Sequence, residues 1–472
     1  MTQDSASISR PAITKLLIGA VVMLGLLGLF VALAGNASAG GGTKVTVNTT
    51  ANIDDGECEG APNDDEIGNC SFREAINLVN NGDADIINFH KPVFSKEQPG
   101  VISLCDGEGT LPEIERDVVI ESKNSGVILD GGSKNDDCGG DNANFGLAVI
   151  AQSNGLDFKL NGGKNFEIRN VCAKPGFGIV VSGLEDGDFS LGTIEITGII
   201  VDNVCGEGIL IEATNLESGS ITNSEISSNN SDGVAVFIDG CGKEDTDDTN
   251  CPLDDSVLEI NGNRILGGTN FPEECCDGSG VNVDYEGFLN SKITVNVSEN
   301  EVINGTHEGV QIDFFGCGRE SGINFHVDGN GDINGGVFDG VDVSVLADAC
   351  AEGGTFFVAG EEPDCIGGTV GPSEICSDGT SSELDVVITV NDNGDIESEG
   401  LVGNGGGAAS SPPGKGVAIT VDIGHAESDS SATVEVNNNG RITGEDDGVG
   451  IFTYICCGDD NSTDTSVNGN DE

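Results

Sequence analysis

Hydrophobic and polar positions alternate in short runs along most of this chain, and eight of these runs open on a glycine, as in Glu308-Gly309-Val310-Gln311-Ile312-Asp313-Phe314. The leading glycines are Gly178, Gly208, Gly233, Gly280, Gly309, Gly340, Gly416 and Gly448, at steps of 30, 25, 47, 29, 31, 76 and 32 residues. The steps cluster near thirty, and the two long ones predict coils with insertions. A second alternating run follows in each repeat, clearest in Ile293 to Val297, Val387 to Val390 and Thr433 to Val436. An asparagine turn comes next: Asn300 before Val302, Asn330 before Ile333, Asn393 before Ile396, Asn439 before Ile442. Strict alternation marks half-buried strands, and Gly or Asn at the corners is expected to supply left-handed backbone for sharp bends.

A unit of two or three short strands cannot bury its apolar face alone and must stack on copies of itself. The expected fold is therefore all-β, a right-handed parallel β-helix. Less regular runs at Val118 to Ile120, Val127 to Leu129, Leu147 to Ile150 and Phe166 to Ile168 predict about three earlier coils. At about 4.8 Å per coil the rod would be roughly 50 Å long. A multi-sheet sandwich fits less well, because two-residue hairpin turns at regular short spacing are scarce.

One segment ahead of the rod has helical periodicity. In Cys70 to Asn80, Ser71 with Glu74 three residues on is the reciprocal cap that starts a helix, and Phe72, Ala75, Ile76 and Val79 share one face. A solenoid needs its open end covered, and this helix is the expected lid. The run Cys70-Ser71-Phe72-Arg73-Glu74-Ala75 resembles the Cys-Ser-Leu-Arg-Glu-Ala domain of secreted β-helix proteins, with Phe72 in place of the usual leucine. The resemblance extends over 43–132, through Val45 to Val47, Asp54-Asp55, Asp85 to Phe89 and Leu111 to Ile114. It implies export and a β-helix, and no particular reaction. Arg73 and Glu74 read as parts of a capping helix rather than as catalytic groups.

The organisation that follows is a 1–39 leader, a 43–132 cap with the first coils, a 133–457 β-helix with cysteine-containing insertions, and a 458–472 polar tail expected to hang free. In the leader, Arg10 and Lys15 precede an uncharged run from Leu16 to Ala34, then Ala37-Ser38-Ala39. That is a cleavable secretion signal, with an uncleaved anchor as the alternative and the one expected route to a membrane. The destination is extracellular or the cell surface. With 81 acidic against 19 basic residues and a formal charge of −62, nucleic acid and anionic membranes are excluded as natural partners. The absence of Trp and the 73 glycines suit thin coils with small inward side chains.

Sixteen cysteines fit an oxidising exterior. Cys241, Cys317, Cys350 and Cys456 fall just after repeat strands, and Cys251, Cys275, Cys276, Cys365 and Cys376 lie in the inserted coils. With Cys58, Cys70 and Cys457 these are the disulfide candidates; sequence leaves their pairing open. Structural zinc is disfavoured because no Cys-x2-Cys module occurs and only four histidines are present, His307 and His425 among them without clustered partners.

Aligning the repeats on their glycines puts Asn282, Gln311 and Asp342 in one outward row and Asp284, Asp313 and Ser344 in the next. Asp284 and Asp313 would then sit one strand spacing apart, where like charges repel unless a cation intervenes or a proton is held. Three readings stay open: solvated aspartates aligned by chance, a calcium-binding face, or an acid and base for sugar chemistry. No other cofactor is implied. Asp328-Gly329-Asn330-Gly331-Asp332 resembles the start of an EF-hand loop, but Ile333 stands where that loop needs glycine, so it reads as a coil corner. Asp254-Asp255 reads as solvated insertion or a weak calcium site.

These readings leave three classes of function. The favoured one is an adhesin-like binding or structural module for extracellular glycans or a cell-surface partner. The others are a carbohydrate-active enzyme, either polysaccharide lyase or glycoside hydrolase, and a subunit of an extracellular assembly.

Overall fold

Each coil of the chain pairs in parallel with the coil that follows it, and three ladders of such pairs run side by side. A computed structural model describes residues 42–470 except 57, 59–68, 106–108, 133–143, 173–175, 185–187, 241–251, 269–277, 290, 319–320, 350–382, 399–413, 425–429, 445–446 and 456–460. The leader at 1–39 lies outside the described residues. Lys44–Glu472 forms one compact unit.

The longest ladder runs from Lys44–Val47 through Ile86–Phe89, Val118–Glu121 and onward to Ser431–Asn437 and Ser462–Asn468. A ladder of short strands runs beside it from Gly100–Ser103 to Ile442–Thr443. The third, glycine-led ladder runs from Phe145–Ile150 to Val449–Ile455. This is the all-β parallel β-helix that alternation predicts. Leu156–Arg169 and Leu191–Val204 each serve the first two ladders, bending at Gly163 and Lys164 (φ 55° and 63°) and at Gly198 (φ 63°).

The core is a set of aliphatic columns. Leu258, Val295, Phe325, Ile388 and Val434 are register partners in succession and all fully buried. Val283, Ile312, Val343 and Ile419 do the same in the glycine-led ladder. Tyr285 also points inward, and its hydroxyl meets Ser256 Oγ at 2.9 Å.

The leading glycines are needed for a different reason from the one periodicity suggests. Positive φ is confined to other positions. What the leading positions lack is room: a Cβ on Gly309 would stand 2.5 Å from the Gly340 carbonyl oxygen and 2.6 Å from Ile333 Cγ2. The same clash, with the next coil's glycine and a β-branched methyl, meets Gly178, Gly208, Gly233, Gly280, Gly340 and Gly416. The glycines thus stack on one another beside a column of β-branched side chains, Val201 and then isoleucines.

The asparagine corners also divide their labour. The left-handed residue is the one before each turn asparagine, namely Gly262, Glu299, Gly329, Asp392, Asn438 and Gly469. The asparagines themselves are stacked, and all but the half-buried Asn470 are buried. Asn330 Nδ2 donates to Asn393 Oδ1 at 2.9 Å and to the Val297 carbonyl at 2.8 Å, while Asn330 Oδ1 accepts from the Asn300 backbone N–H and amide. Asn263, Asn300, Asn330, Asn393, Asn439 and Asn470 continue this ladder coil over coil. Asp328 to Asp332 is one of its corners, as Ile333 in place of an EF-hand glycine predicts.

Helix Phe72–Asn80 covers the first coil. Both halves of its cap are made: Ser71 N donates to Glu74 Oε2 at 2.8 Å, and Glu74 N donates to Ser71 Oγ at 3.1 Å. Phe72, Ala75, Ile76 and Val79 are buried, with Phe72 edge-on to Phe89. Arg73 is buried too; it donates to Asn52 Oδ1 at 3.0 Å and to the carbonyls of Gly109 and Thr110, tying two loops to the lid.

Four strands of the longest ladder precede Gly178. One expectation needs correction. The tail does not hang free: Ser462–Asn468 is a strand in register with Ser431–Asn437. Its side chains are mostly exposed, so apolar periodicity missed it, but Asn468-Gly469-Asn470 repeats the corner of Asn437-Asn438-Asn439, and Asn470 closes the asparagine ladder.

Disulfides join Cys58 to Cys70 and Cys172 to Cys205, and Cys105 is also bonded. The first pair joins Cys58 to the residue just ahead of the helix cap Ser71. The second staples corners of successive coils rather than an insertion, and its 33-residue spacing, close to one repeat, is the signal that could have found it. Cys241, Cys251, Cys275, Cys276, Cys350, Cys365, Cys376, Cys456 and Cys457 lie outside the described residues, as does the Cys317 side chain.

Candidate functional site

The glycine-led face changes character along its length. At its N-terminal end the outward side chains are apolar: Val180, Leu210 and Ala235 pack together with Phe145, Phe177 and Phe237, and the rings of Phe145 and Phe177 stack at 6.0 Å. In the middle it becomes acidic. At the last coil Phe452 and Tyr454 are exposed.

The acidic part is built by register. Asn282 pairs with Gln311 and Gln311 with Asp342; Asp284 pairs with Asp313 and Asp313 with Ser344. Flanking residues alternate inward, so these side chains share the outward face of three successive coils. Gln311 Nε2 donates to Asp313 Oδ2 at 2.7 Å, and Asn282 Nδ2 donates to Asp232 Oδ2 at 3.1 Å.

A third row stands at the residue before each leading glycine from Gly208 onward, and alternation within strands could not reveal it because these positions are corners. It reads Glu207, Asp232, Ser279, Glu308, Asp339, Lys415, Asp447. Ser279 sits between two acids, its N–H donating to Asp232 Oδ1 at 2.7 Å and its hydroxyl to Glu308 Oε2 at 3.0 Å. His307 Nδ1 meets Glu308 Oε2 at 2.7 Å while its ring stands edge-on to Phe338 at 3.9 Å, so this histidine is partnered rather than incidental. The Lys415 backbone N–H donates to Asp339 Oδ1.

Burial and mutual repulsion hold protons on this patch. Burial, then the charges of Asp313, Glu286 and Asp239, push Asp284 up to about 6. Asp342 rises to about 7, through burial first and then Asp339, Asp313 and Glu308, with Lys415 opposing. Asp232 rises to about 6 through burial, against its bonds from Asn282 and Ser279. Asp313 and Asp339 are raised from the usual range by burial as well. Such groups are poised to exchange protons for a cation near neutral pH.

Another cluster has metal-like spacing but different chemistry. Cys58, Cys70 and Glu74 bring ligand atoms within 4.8 Å of one another, yet the two sulfurs are bonded together and Glu74 accepts from Ser71. No thiolate is free there to bind metal.

Among the described residues no helix is long and apolar enough to cross a membrane. The disulfides fit an extracellular protein. Comparison of the chain with known protein families, curated proteins and solved structures finds no match.

Proposed function

We propose that the protein is an exported binding and structural module of adhesin-like type, a rigid stack of coils that presents contact faces to extracellular glycans or to another cell surface. The observation that carries this reading is the register-locked set of Asn282, Gln311, Asp342, Asp284 and Asp313 on one face of a parallel ladder. Side chains fixed at coil spacing on a rigid scaffold suit recognition, because little ordering cost remains at the moment of contact. The formal charge of −62 directs the acidic rows toward cations and away from nucleic acid. Calcium is the ion whose oxygen-ligand preference the carboxylates and amides would meet. The leader, the disulfides and the resemblance to a secreted β-helix family agree with an extracellular setting.

Calorimetric titration of the secreted protein with calcium, paired with a glycan array with and without the ion, tests this. Calcium binding is expected at pH 8 and to be weaker at pH 5, where protons occupy Asp284, Asp232 and Asp342. Asp313→Asn is expected to weaken it about tenfold or more. Release of new reducing ends or unsaturated sugars by the wild type, lost in Asp313→Asn, would replace the binding reading with an enzymatic one.

A further inference from the structure

A separate groove runs along the corner where chain leaves the glycine-led ladder and enters the longest one. It consists of two adjoining depressions, of about 840 and 480 Å³, that share Asp255 and Ser291 in their walls. Together they extend from Gly155 to Ser431, across the starts of eight successive strands of the longest ladder. At the strand spacing of about 4.8 Å this is roughly 34 Å along the axis.

Asn215, Ser291 and Ser321 stand in its walls, and their side-chain oxygens Oδ1, Oγ and Oγ are buried behind its surface without a hydrogen-bond partner. Ser321 is only 8% exposed. Polar atoms withdrawn from water are normally paired, so a row left open points to something that completes it. Asn215, Asp254, Ser291 and Ser321 stand at the starts of four consecutive coils, so the open oxygens recur along the axis. Backbone groups beside them are already used: Gly322 N donates to the Ser291 carbonyl at 2.9 Å, and Ser321 N to the Glu383 carbonyl at 3.1 Å.

We infer that this groove binds a linear polysaccharide free of anionic groups, laid along the solenoid axis with Asn215, Ser291 and Ser321 turning their side chains to its hydroxyls. The inference rests on the reading of the chain as an extracellular binding module, and assigns the glycan to a place other than the acidic rows. A sugar hydroxyl both donates and accepts, as a serine hydroxyl does, and it donates equally well to an amide or carboxylate oxygen. A polymer of sugar rings repeats these groups at an interval comparable with the coil spacing. Glu217, Asp254, Asp255, Glu383 and Asp385 stand in the walls against Lys292, which repels uronates and sulfated chains. A peptide fits worse. It could not add a strand where the backbone groups are taken, and only Leu191 and Val387 offer apolar anchorage.

The test uses the full secreted chain on an array of neutral hexasaccharides, glucosamine oligomers and oligogalacturonates, with affinities then measured by calorimetry. Gly322→Phe fills the groove: a Cβ there meets its nearest neighbours at 3.6 and 3.7 Å, an ordinary contact. It is expected to lower affinity for the neutral or amino glycan more than tenfold with the melting temperature retained. Ser321→Ala and Ser291→Ala should each lower affinity several-fold while leaving the melting temperature equal or higher, since each removes an oxygen that the free protein leaves unpaired. Those two variants decide the matter should Gly322→Phe fold poorly. Binding confined to oligogalacturonates, glycan binding untouched by these substitutions, or selective binding of basic peptides would overturn the groove assignment. If no glycan binds but calcium does, the groove assignment falls and the module reading stands; if neither binds, both fall.

Discussion

A leading glycine in this fold is held in place by its neighbours' atoms. A Cβ on Gly309 would enter a space already filled by the Gly340 carbonyl and the Ile333 methyl, whereas one on Gly448, the last of the leading glycines, would meet nothing nearer than 3.1 Å. Gly309→Ala is therefore expected to destabilise by about 1–3 kcal/mol through overpacking. Gly448→Ala should have a much smaller effect, and urea unfolding of the two variants makes the comparison. The glycines were legible in the sequence, but their reason was not: spacing reports recurrence, and only the stacked coils show which atoms lie opposite. The same holds for Glu299 and Asp392, which adopt left-handed backbone (φ 53° and 57°) although neither residue type advertises it as glycine does.

At the scale of the element, each corner depends on an asparagine that serves the coils on both sides. Asn330→Ala would leave Asn300 N and the Val297 carbonyl each short of a partner in a buried place, and would cost Asn393 Oδ1 one of the two bonds it accepts. A cost of at least about 2 kcal/mol is expected, measured by urea unfolding, because buried groups stranded without partners are worth about 1–3 kcal/mol each. Strand existence was readable wherever aliphatic residues alternate, as in Ile293 to Val297, since burial imposes that period. It was unreadable in Ser462–Asn468, where exposed side chains carry no such constraint and the backbone ladder alone makes the strand. The lid helix was readable because capping is local chemistry. The outward rows through Asp284 and Asp313 followed from glycine alignment; the corner row through Asp232, Glu308 and Asp339 and the groove oxygens did not, because they depend on how coils turn.

For the whole molecule, the acidic face sets a pH dependence opposite to that of a salt-bridged carboxylate. Asp232, Asp284 and Asp342 move from 3.8 in the open chain to about 6, 6 and 7 in the fold. Between those values the folded protein keeps protons that the unfolded chain has released, so stability falls as pH rises. Their protons favour the fold fully below about pH 4 and no longer above about pH 7. The melting temperature in chelator is expected to drop from pH 5 to pH 8, and Asp342→Asn to flatten that slope; an unchanged slope in the variant would remove Asp342 from the account.

The asparagine ladder also bears on how such a chain can change length. Each member hands its bonds to an identical residue one coil away, so a coil spliced in or cut out whole leaves every remaining bond with an equivalent mate. A fragment of a coil would break the series. Gene duplication in units of a full turn is thus the inexpensive route by which this molecule can grow or shrink, with its ends unaltered.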